Sequence, residues 1–343
     1  MSLYRNIVWF IKGLQEYTRG GYAKASKNFN PSDLEDDLFN KSYMVTGANS
    51  GLGKFTAMTL VRMGGIVHMV CRDPTRGEEA RKEIIAEIGN ECLMENLILH
   101  CLDLSIPADI VKFVKSFENT EQKLDVLINN AGCMVHTREV TEDKLEKNFA
   151  TNTLGTHLLT TLLIPTLLKA KKPRVITVSS GGMLVEKLNI DDLQFEKVTD
   201  FDGTMIYAQT KRQQVVMTEH YAKKYPDIHF SCMHPGWADT PAVRTSMPYF
   251  YEKMKNKLRT TEEGADTIIW LAASPAAYHQ PSGLFFQGNC EVSGNMFHHR
   301  ITQGIDRVSV PKHLPMAWTK SSQEEEEVFM EKLDEIARKF TSK

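Results

Sequence analysis

Residues 43–53 read Tyr43-Met44-Val45-Thr46-Gly47-Ala48-Asn49-Ser50-Gly51-Leu52-Gly53. A short β-like run enters a glycine-rich turn, and residues 54–63 beyond it carry the pattern of a helix. At such a junction backbone N–H groups and the positive end of a helix dipole converge, which suits a pyrophosphate. Glycine serves there because a Cβ would block close backbone approach and some turn positions need positive φ. The spacing is TGxxxGxG rather than GxGxxG. Alone, it is equally compatible with a plain tight connection.

Working outward, the same alternation repeats. Residues 66–71 read as a second strand and 76–88 as a charged amphipathic helix. Residues 97–102 read as a third strand ending at Asp103, and 110–117 as a helix. A fourth strand at 126–128 runs into Asn129-Asn130-Ala131-Gly132, and 145–168 reads as one long apolar helix. A fifth strand at 175–178 ends in Ser179-Ser180, a helix covers 207–225, and a sixth strand at 228–233 precedes Pro235-Gly236. Strands separated by helical connections imply right-handed βαβ units. The expected fold is α/β, a single Rossmann-like doubly wound parallel sheet with helical N- and C-terminal extensions. The expected division is 1–38 as an N-terminal amphipathic extension, 39–294 as the Rossmann-like domain and 295–343 as a C-terminal helical extension.

Composition narrows the function classes. The 343 residues are 42% hydrophobic and 24% charged, ample material for a packed core. Lys plus Arg number 41 and Asp plus Glu 43, a formal net charge of −2, which excludes a basic nucleic-acid footprint over the whole chain. No apolar run approaches the roughly 20 residues of a membrane-spanning helix. Six cysteines stand at 71, 92, 101, 133, 232 and 290 without a CxxC pair or zinc-like spacing, and read as reduced thiols. No metal site is expected. His298-His299 lacks partners at metal-like spacing and reads as surface.

The two ends differ from the middle. Ile7-Val8-Trp9-Phe10-Ile11 lies between Arg5 and Lys12, and a signal-peptide cleavage pattern is missing. Three readings stay open: a helix packed on the body, a basic amphipathic helix on a membrane surface, or a weak mitochondrial presequence. The expected location is therefore cytoplasmic or peripherally membrane-associated, with a mitochondrial alternative. At the other end Phe329, Leu333, Ile336, Ala337 and Phe340 mark one face of a final helix. Its acidic start at 324–327 and basic end complement the helix dipole.

The end of the second strand bears on the cofactor. An acid there would hold a ribose 2′-hydroxyl, whereas an Arg accommodates a 2′-phosphate. Arg72 follows Cys71, Lys54 adds a cation from the glycine loop, and Asp73 either opposes this or starts a turn with Pro74. NADP(H) is expected.

Thr46 to Gly53, Asn129 to Gly132, Ser180, Tyr207-x-x-x-Lys211 and Pro235-Gly236 occur in the order found in the short-chain dehydrogenase/reductase family. Over roughly residues 40–290 the chain resembles that family, and TGANSGLGK and CRDPTRGEEARKEI are most similar to its retinol-dehydrogenase-like branch. The resemblance implies a catalytic tetrad of Asn152, Ser180, Tyr207 and Lys211, with Asn152 holding a water that relays protons to Lys211. It implies a cofactor site of Gly47, Asn49, Ser50, Gly51, Leu52, Gly53, Lys54, Arg72, Asp103, Asn130, Pro235, Gly236 and Thr240, completed by Tyr207 and Lys211. Asp103 would meet adenine, Thr240 the nicotinamide amide and Lys211 the nicotinamide ribose.

The chemistry fits these residue types. Hydride transfer to a carbonyl develops charge on oxygen, so an acid must supply a proton and a donor must hold the oxygen. Tyrosine is a poor acid at its usual pKa of about 10, and a nearby ammonium lowers that value. Lysine four residues on lies one helical turn away, on the same face. Tyr249/Lys253 and Tyr251/Lys255 share the spacing, but no Ser-ending strand leads into them. Ser180 alone also reads as a strand-end cap, and Asn152 as a buried helix Asn. The 27 positions from Ser180 to Tyr207 include an acidic insert at 189–204, expected to loop over one side of the site. Met233, Met247 and Met254 suit either an adaptable apolar pocket or ordinary core, and Cys133 reads as a buried thiol. The implied activity is an NADP(H)-dependent oxidoreductase acting on a small to medium lipophilic carbonyl or alcohol. The rival is a dinucleotide-binding redox-sensing or interaction module with little turnover.

Overall fold

The computed structural model describes residues 2–120, 123–287, 312 and 319–341. The sequence reading of His298-His299 and Cys290 falls outside them. One sheet contains β1 (Ser42–Thr46), β2 (Ile66–Cys71), β3 (Leu97–Cys101), β4 (Val126–Asn129), β5 (Arg174–Val178), β6 (His229–His234) and β7 (Leu284–Gln287). All neighbours pair in parallel, in the order β3-β2-β1-β4-β5-β6-β7.

Before the sheet lie α1 (Ser2–Glu16) and α2 (Arg19–Ala25). Helices α3 (Gly51–Arg62), α4 (Pro74–Ile88), α5 (Pro107–Glu118), α6 (Thr156–Leu167) and α7 (Gly203–Lys224) join the first six strands. Between β6 and β7 come α8 (Pro241–Ser246), α9 (Pro248–Met254), α10 (Thr261–Ala273) and α11 (Pro275–Tyr278), and α12 (Gln323–Thr341) follows β7. The doubly wound parallel sheet is the one expected, with β7 as a seventh strand that the sequence pattern did not reveal. Four residues following a Pro-Ser-Gly turn offer too short an apolar run to separate strand from loop.

Both sheet faces are covered, which is why β1, β4, β5 and β6 are buried throughout. One core layer joins Leu127, Ile110, Leu158 and Met217 to Phe329 and Leu333 of α12. The other joins Val45, Leu60, Ile84, Ile268 and Trp270. The expected apolar face of α12 is thus the one it buries, with Ile336 and Phe340 partly covered.

Two expectations need correction. The stretch read as one long α-helix over 145–168 is π-helical from Phe149 to Gly155 and α-helical only from Thr156. The buried Glu146 carboxylate accepts from Phe149 N at 2.7 Å, and Gly155 presses so closely on Leu104 that a Cβ would lie 2.2 Å from its carbonyl oxygen. Wider π-turns recur at functional sites, and this one carries Asn152. The insert at 189–204 does not simply arch over the site. Leu193 and Phe195 are buried in the core cluster that includes α12, and Lys332 donates to Ile190 O at 2.7 Å. Its acids serve as caps: Asp192 accepts from Glu196 N and Lys197 N, and Asp202 caps α7.

The strand order reverses between β1 and β4. Ligands of open parallel sheets bind beyond the carboxyl ends of the strands at such a point. Gly47 and the Asn129–Gly132 run stand there.

Candidate active site

The glycine turn is built around main-chain contact. Gly47 and Gly51 have φ of +66° and +53°. A Cβ on Gly53 would lie 2.4 Å from Gly47 O and 2.5 Å from Asn130 Nδ2, so only glycine closes this turn. Asn130 braces it: Nδ2 donates to Thr46 O at 2.8 Å, and Thr46 Oγ1 accepts from Asn130 N and Ala131 N at 3.0 and 2.9 Å. Asn130 thus supports the cradle from behind. Ser50 starts α3 without a side-chain cap, and the first turn holds no acid. The first-turn N–H groups at Gly51, Leu52 and Gly53 therefore have no side-chain acceptor, an arrangement that fits a diphosphate. Across the crevice Gly51 faces Thr240, to which its Cβ would come within 3.4 Å. Thr240 itself caps α8 through Val243 N.

Around the second strand end the cations separate. Lys54 is ion-paired with Glu83 of α4. Arg72 is exposed beyond β2. Asp73 accepts from Thr75 N at 2.9 Å and Arg76 N at 3.1 Å, capping α4. Its role as a turn starter is what the structure holds. Asp103 Oδ1 accepts from Ser105 N and Ser105 Oγ at 2.8 and 2.7 Å, which fixes the carboxylate at the end of β3.

The four residues of the expected tetrad arrive from three segments: the π-helical turn, the end of β5 and α7. The Asn152 side chain clamps the chain after β4: Oδ1 accepts from Cys133 N at 2.8 Å, while Nδ2 donates to Cys133 O at 2.8 Å and to Thr210 Oγ1 at 3.1 Å. Ser179 Oγ donates to Lys211 O at 2.9 Å, tying the end of β5 to α7. Ser180 Oγ accepts from Gly182 N at 3.1 Å, so the hydroxyl caps the following turn and keeps its own proton to donate. Tyr207 is half-buried on α7. Lys211 Nζ lies 5.3 Å from the centre of its ring and donates to Val178 O at 2.9 Å.

The electrostatics depart from expectation. Burial raises the Tyr207 hydroxyl well above its ordinary value, with Cys133 adding to the rise. Burial also pulls Lys211 down to about 8. Lys211 does not offset the rise at Tyr207; its ammonium donates to Val178 O and Gln214 instead. Cys133 is raised by burial and is no ready nucleophile. The other tyrosine–lysine pairs stand apart on α9: Tyr249 is 72% exposed under Lys253, and Lys255 pairs with Glu252.

Several residues at the site carried no sequence signal of their own. Gln214 Nε2 donates to Asn152 O at 2.7 Å, and its spacing from Lys211 is the only hint a sequence offers. Trp9 of α1 donates from Nε1 to Gly181 O at 2.7 Å, directly after Ser180. Its ring meets Trp237 edge-on at 5.9 Å, and Trp237 meets Phe250 of α9 at 5.2 Å. Arg259 donates to Pro235 O at 3.1 Å and to Glu16 O at 2.7 Å, fastening the Pro235-Gly236 turn to the end of α1. Gly236, with φ +79°, leaves no room for a Cβ beside that guanidinium. Of the methionines, Met233 and Met254 fill core clusters, while Met247 is half-buried between α8 and α9. Among the described residues no group of side chains is set to hold a metal ion.

Comparison with known proteins matches this arrangement. Residues 41–190 match the family model for short chain dehydrogenase. The chain is 57% identical over 340 residues to dehydrogenase/reductase SDR family member 12 of Bos taurus, covering 99% of this chain and 100% of that one. Retinol dehydrogenase 14 of Homo sapiens is 34% identical over 271 residues, covering 74% and 80%. Among solved structures, a putative short chain dehydrogenase of Shigella flexneri complexed with NADP superposes with a TM-score of 0.58 at 21% identity, over 74% of this chain and 99% of that one. Salutaridine reductase from Papaver somniferum gives 0.57 at 24%, over 71% and 99%. At these identities the structures speak for the fold alone. With the glycine cradle, the tetrad positions and these relatives together, the chain belongs to the short-chain dehydrogenase/reductase family of oxidoreductases, in its retinol-dehydrogenase-like branch.

Proposed function

We propose that the protein is an NADP(H)-dependent oxidoreductase acting on a carbonyl or alcohol of a small to medium lipophilic substrate. The observation that supports this best is the side-by-side placement of Tyr207 and Lys211 on α7, behind which Ser179 ties the helix to the end of β5 while Asn152 and Gln214 tie it to the π-helical turn. A module that only bound a dinucleotide would not need an acid there. When bound, the nicotinamide supplies or accepts the hydride. The Tyr207 hydroxyl gives its proton to the developing alkoxide, Ser180 Oγ donates to the same oxygen, and Lys211 supports the tyrosinate left behind.

Preference for the 2′-phosphate is assigned to Arg72. Asp73 is spent on its helix cap and Lys54 on Glu83, so Arg72 is the group at the end of β2 best placed for the phosphate. Structural neighbours include proteins complexed with NADP and with NADPH, and also a 3-ketoacyl reductase complexed with NADH. A lipophilic substrate accords with relatives named as retinol dehydrogenases and with Trp237, Met247 and Phe250 beside the site. The cofactor-binding unit is assigned to 39–294, with 1–38 and 295–343 as extensions.

Peripheral contact with a lipid surface belongs to the same reading. Of the ten exposed large hydrophobic residues among those described, Leu3, Tyr4, Ile7, Phe10 and Ile11 all lie on α1. No described helix is long and apolar enough to cross a membrane. Turnover is tested by stopped-flow absorbance of NADPH mixed with a panel of lipophilic aldehydes and ketones. Oxidation of NADPH by at least one is expected. Tight NADPH binding with no turnover across the panel would favour the binding-module alternative.

A further inference from the structure

Lys211 sits at one end of a short buried chain of hydrogen bonds. Its Nζ donates to Gln214 Oε1 at 3.0 Å, and Gln214 Nε2 donates to the Asn152 carbonyl at 2.7 Å. Gln214 is 1% exposed, three residues beyond Lys211 and so on the same face of α7. The amide has one usable orientation. An ammonium only donates and a carbonyl oxygen only accepts, so turning the amide over would break both bonds at once. The Asn152 side chain bonds Cys133 and Thr210, so Gln214 is tied to a residue that is itself held from both sides.

We propose that Gln214 is a positioning residue of this active site: a side-chain bridge that fixes the Lys211 ammonium to the Asn152 main chain and sustains its charge. A primary amide accepts a hydrogen bond but is too weak a base to take up a proton and pass it on. The inference rests on the reading of Tyr207 and Lys211 as the working pair.

The titratable groups facing Lys211 are few. They are Tyr207 on its own helix, Cys133 beyond β4 and Cys232 on β6. Burial raises all three, Cys232 to about 11. A label on the lysine nitrogen reads the Lys211 titration separately from theirs.

The experiment uses the full chain with ¹⁵N-labelled lysine, the Lys211 Nζ resonance being assigned by its loss in Lys211→Arg. Gln214→Met keeps the volume and removes the acceptor; the Lys211 midpoint should fall by about one pH unit, the scale of one hydrogen bond to a charged group. Gln214→Glu keeps the shape and adds a negative charge; the midpoint should rise by about as much. If the methionine variant does not fold, the glutamate variant decides alone. The alkaline limb of the pH profile of kcat/KM for carbonyl reduction should move in the same directions. Equal Lys211 midpoints in the wild type and in each folded variant would overturn the proposal. Shifted midpoints in a protein that turns over no carbonyl would instead uphold Gln214 and overturn the reading of the site as an oxidoreductase centre.

Discussion

The two walls of the cleft are made differently. On the cofactor side, the turn after β1 is held by directional bonds: Asn130 and Thr46 share two, Ala131 N gives Thr46 Oγ1 a third, and glycines stand where a Cβ would collide. On the opposite side, Trp9, Phe10, Tyr17, Trp237 and Phe250 meet ring against ring at 5.2–6.2 Å, apolar contact that joins the bonds made by Trp9 and Arg259. Directional bonds fix one geometry, as an unchanging cofactor requires. Aromatic and methionine surfaces repack at small cost, which suits a substrate of variable outline. Helix α7, packed on β6, on the π-helical turn and on the turn after Ser180, carries Tyr207 and Lys211.

The largest effect should come from that helix. Tyr207→Phe removes the acid and leaves the ring and the glycine cradle in place. Turnover should fall on the order of 10²–10⁴-fold, while the NADPH dissociation constant stays within about threefold of wild type. Titration calorimetry and single-turnover rates on the same preparation check both halves. Loss of cofactor affinity in parallel with turnover would mean that Tyr207 belongs to the rigid wall as structure and that the acid lies elsewhere.

The same contrast explains what could be read from the sequence. The cofactor wall was legible because its demands are local: a positive φ at Gly47 needs glycine whatever surrounds it, and strand, turn and helix follow one another in the chain. Tyr207 and Lys211 were legible through helical spacing joined to the strand end before them. The substrate wall was not, because Trp9 reaches Gly181 O across 172 residues and Arg259 reaches Glu16 O across 243. Nothing in the local pattern of α1 distinguishes the face that packs on Trp237 from the face left open. The π-helical turn at Asn152 escaped for a related reason. It ends at Gly155, where Leu104 O of another segment leaves no room for a side chain, and apolar periodicity does not register such a contact.

A smaller effect belongs to the rim of the rigid wall. A guanidinium can grip a phosphate with paired hydrogen bonds, each charge-assisted. Arg72→Ala should weaken NADPH binding by about 10- to 150-fold and change NADH binding little. Because Asp73 already accepts two backbone N–H groups, it should not rescue NADH binding in the variant. Wild-type protein binding NADH as tightly as NADPH would sink the assignment of the phosphate to Arg72. An unchanged ratio in the variant would point to another cation, with Lys54 released from Glu83 the first to examine.

The smallest expected effect sharpens the other wall. Removing residues 1–30 is a poor test of lipid contact, since it would also remove the fully buried Tyr17 and the Glu16 carbonyl that Arg259 holds. Ile7→Glu and Ile11→Glu are cleaner, being 48% and 51% exposed on the outer face of α1. If that face lies on a bilayer, each change takes a large aliphatic side chain out of the contact. An apolar side chain of this size contributes about 1.5 kcal/mol when it is largely covered, so vesicle partitioning should fall roughly tenfold per substitution. Sedimentation with vesicles of phosphatidylcholine and phosphatidylserine measures it, and reduction of a water-soluble carbonyl by the same samples should be unaffected. Since Phe10 of α1 touches Trp237 at 5.7 Å, and Trp237 touches Phe250, contact on the outer face is mechanically joined to α9 beside the site. A bilayer-dissolved carbonyl should therefore lose rate in the variants while a soluble one does not. Equal and negligible sedimentation of wild type and variants would leave α1 as a packed wall and nothing more.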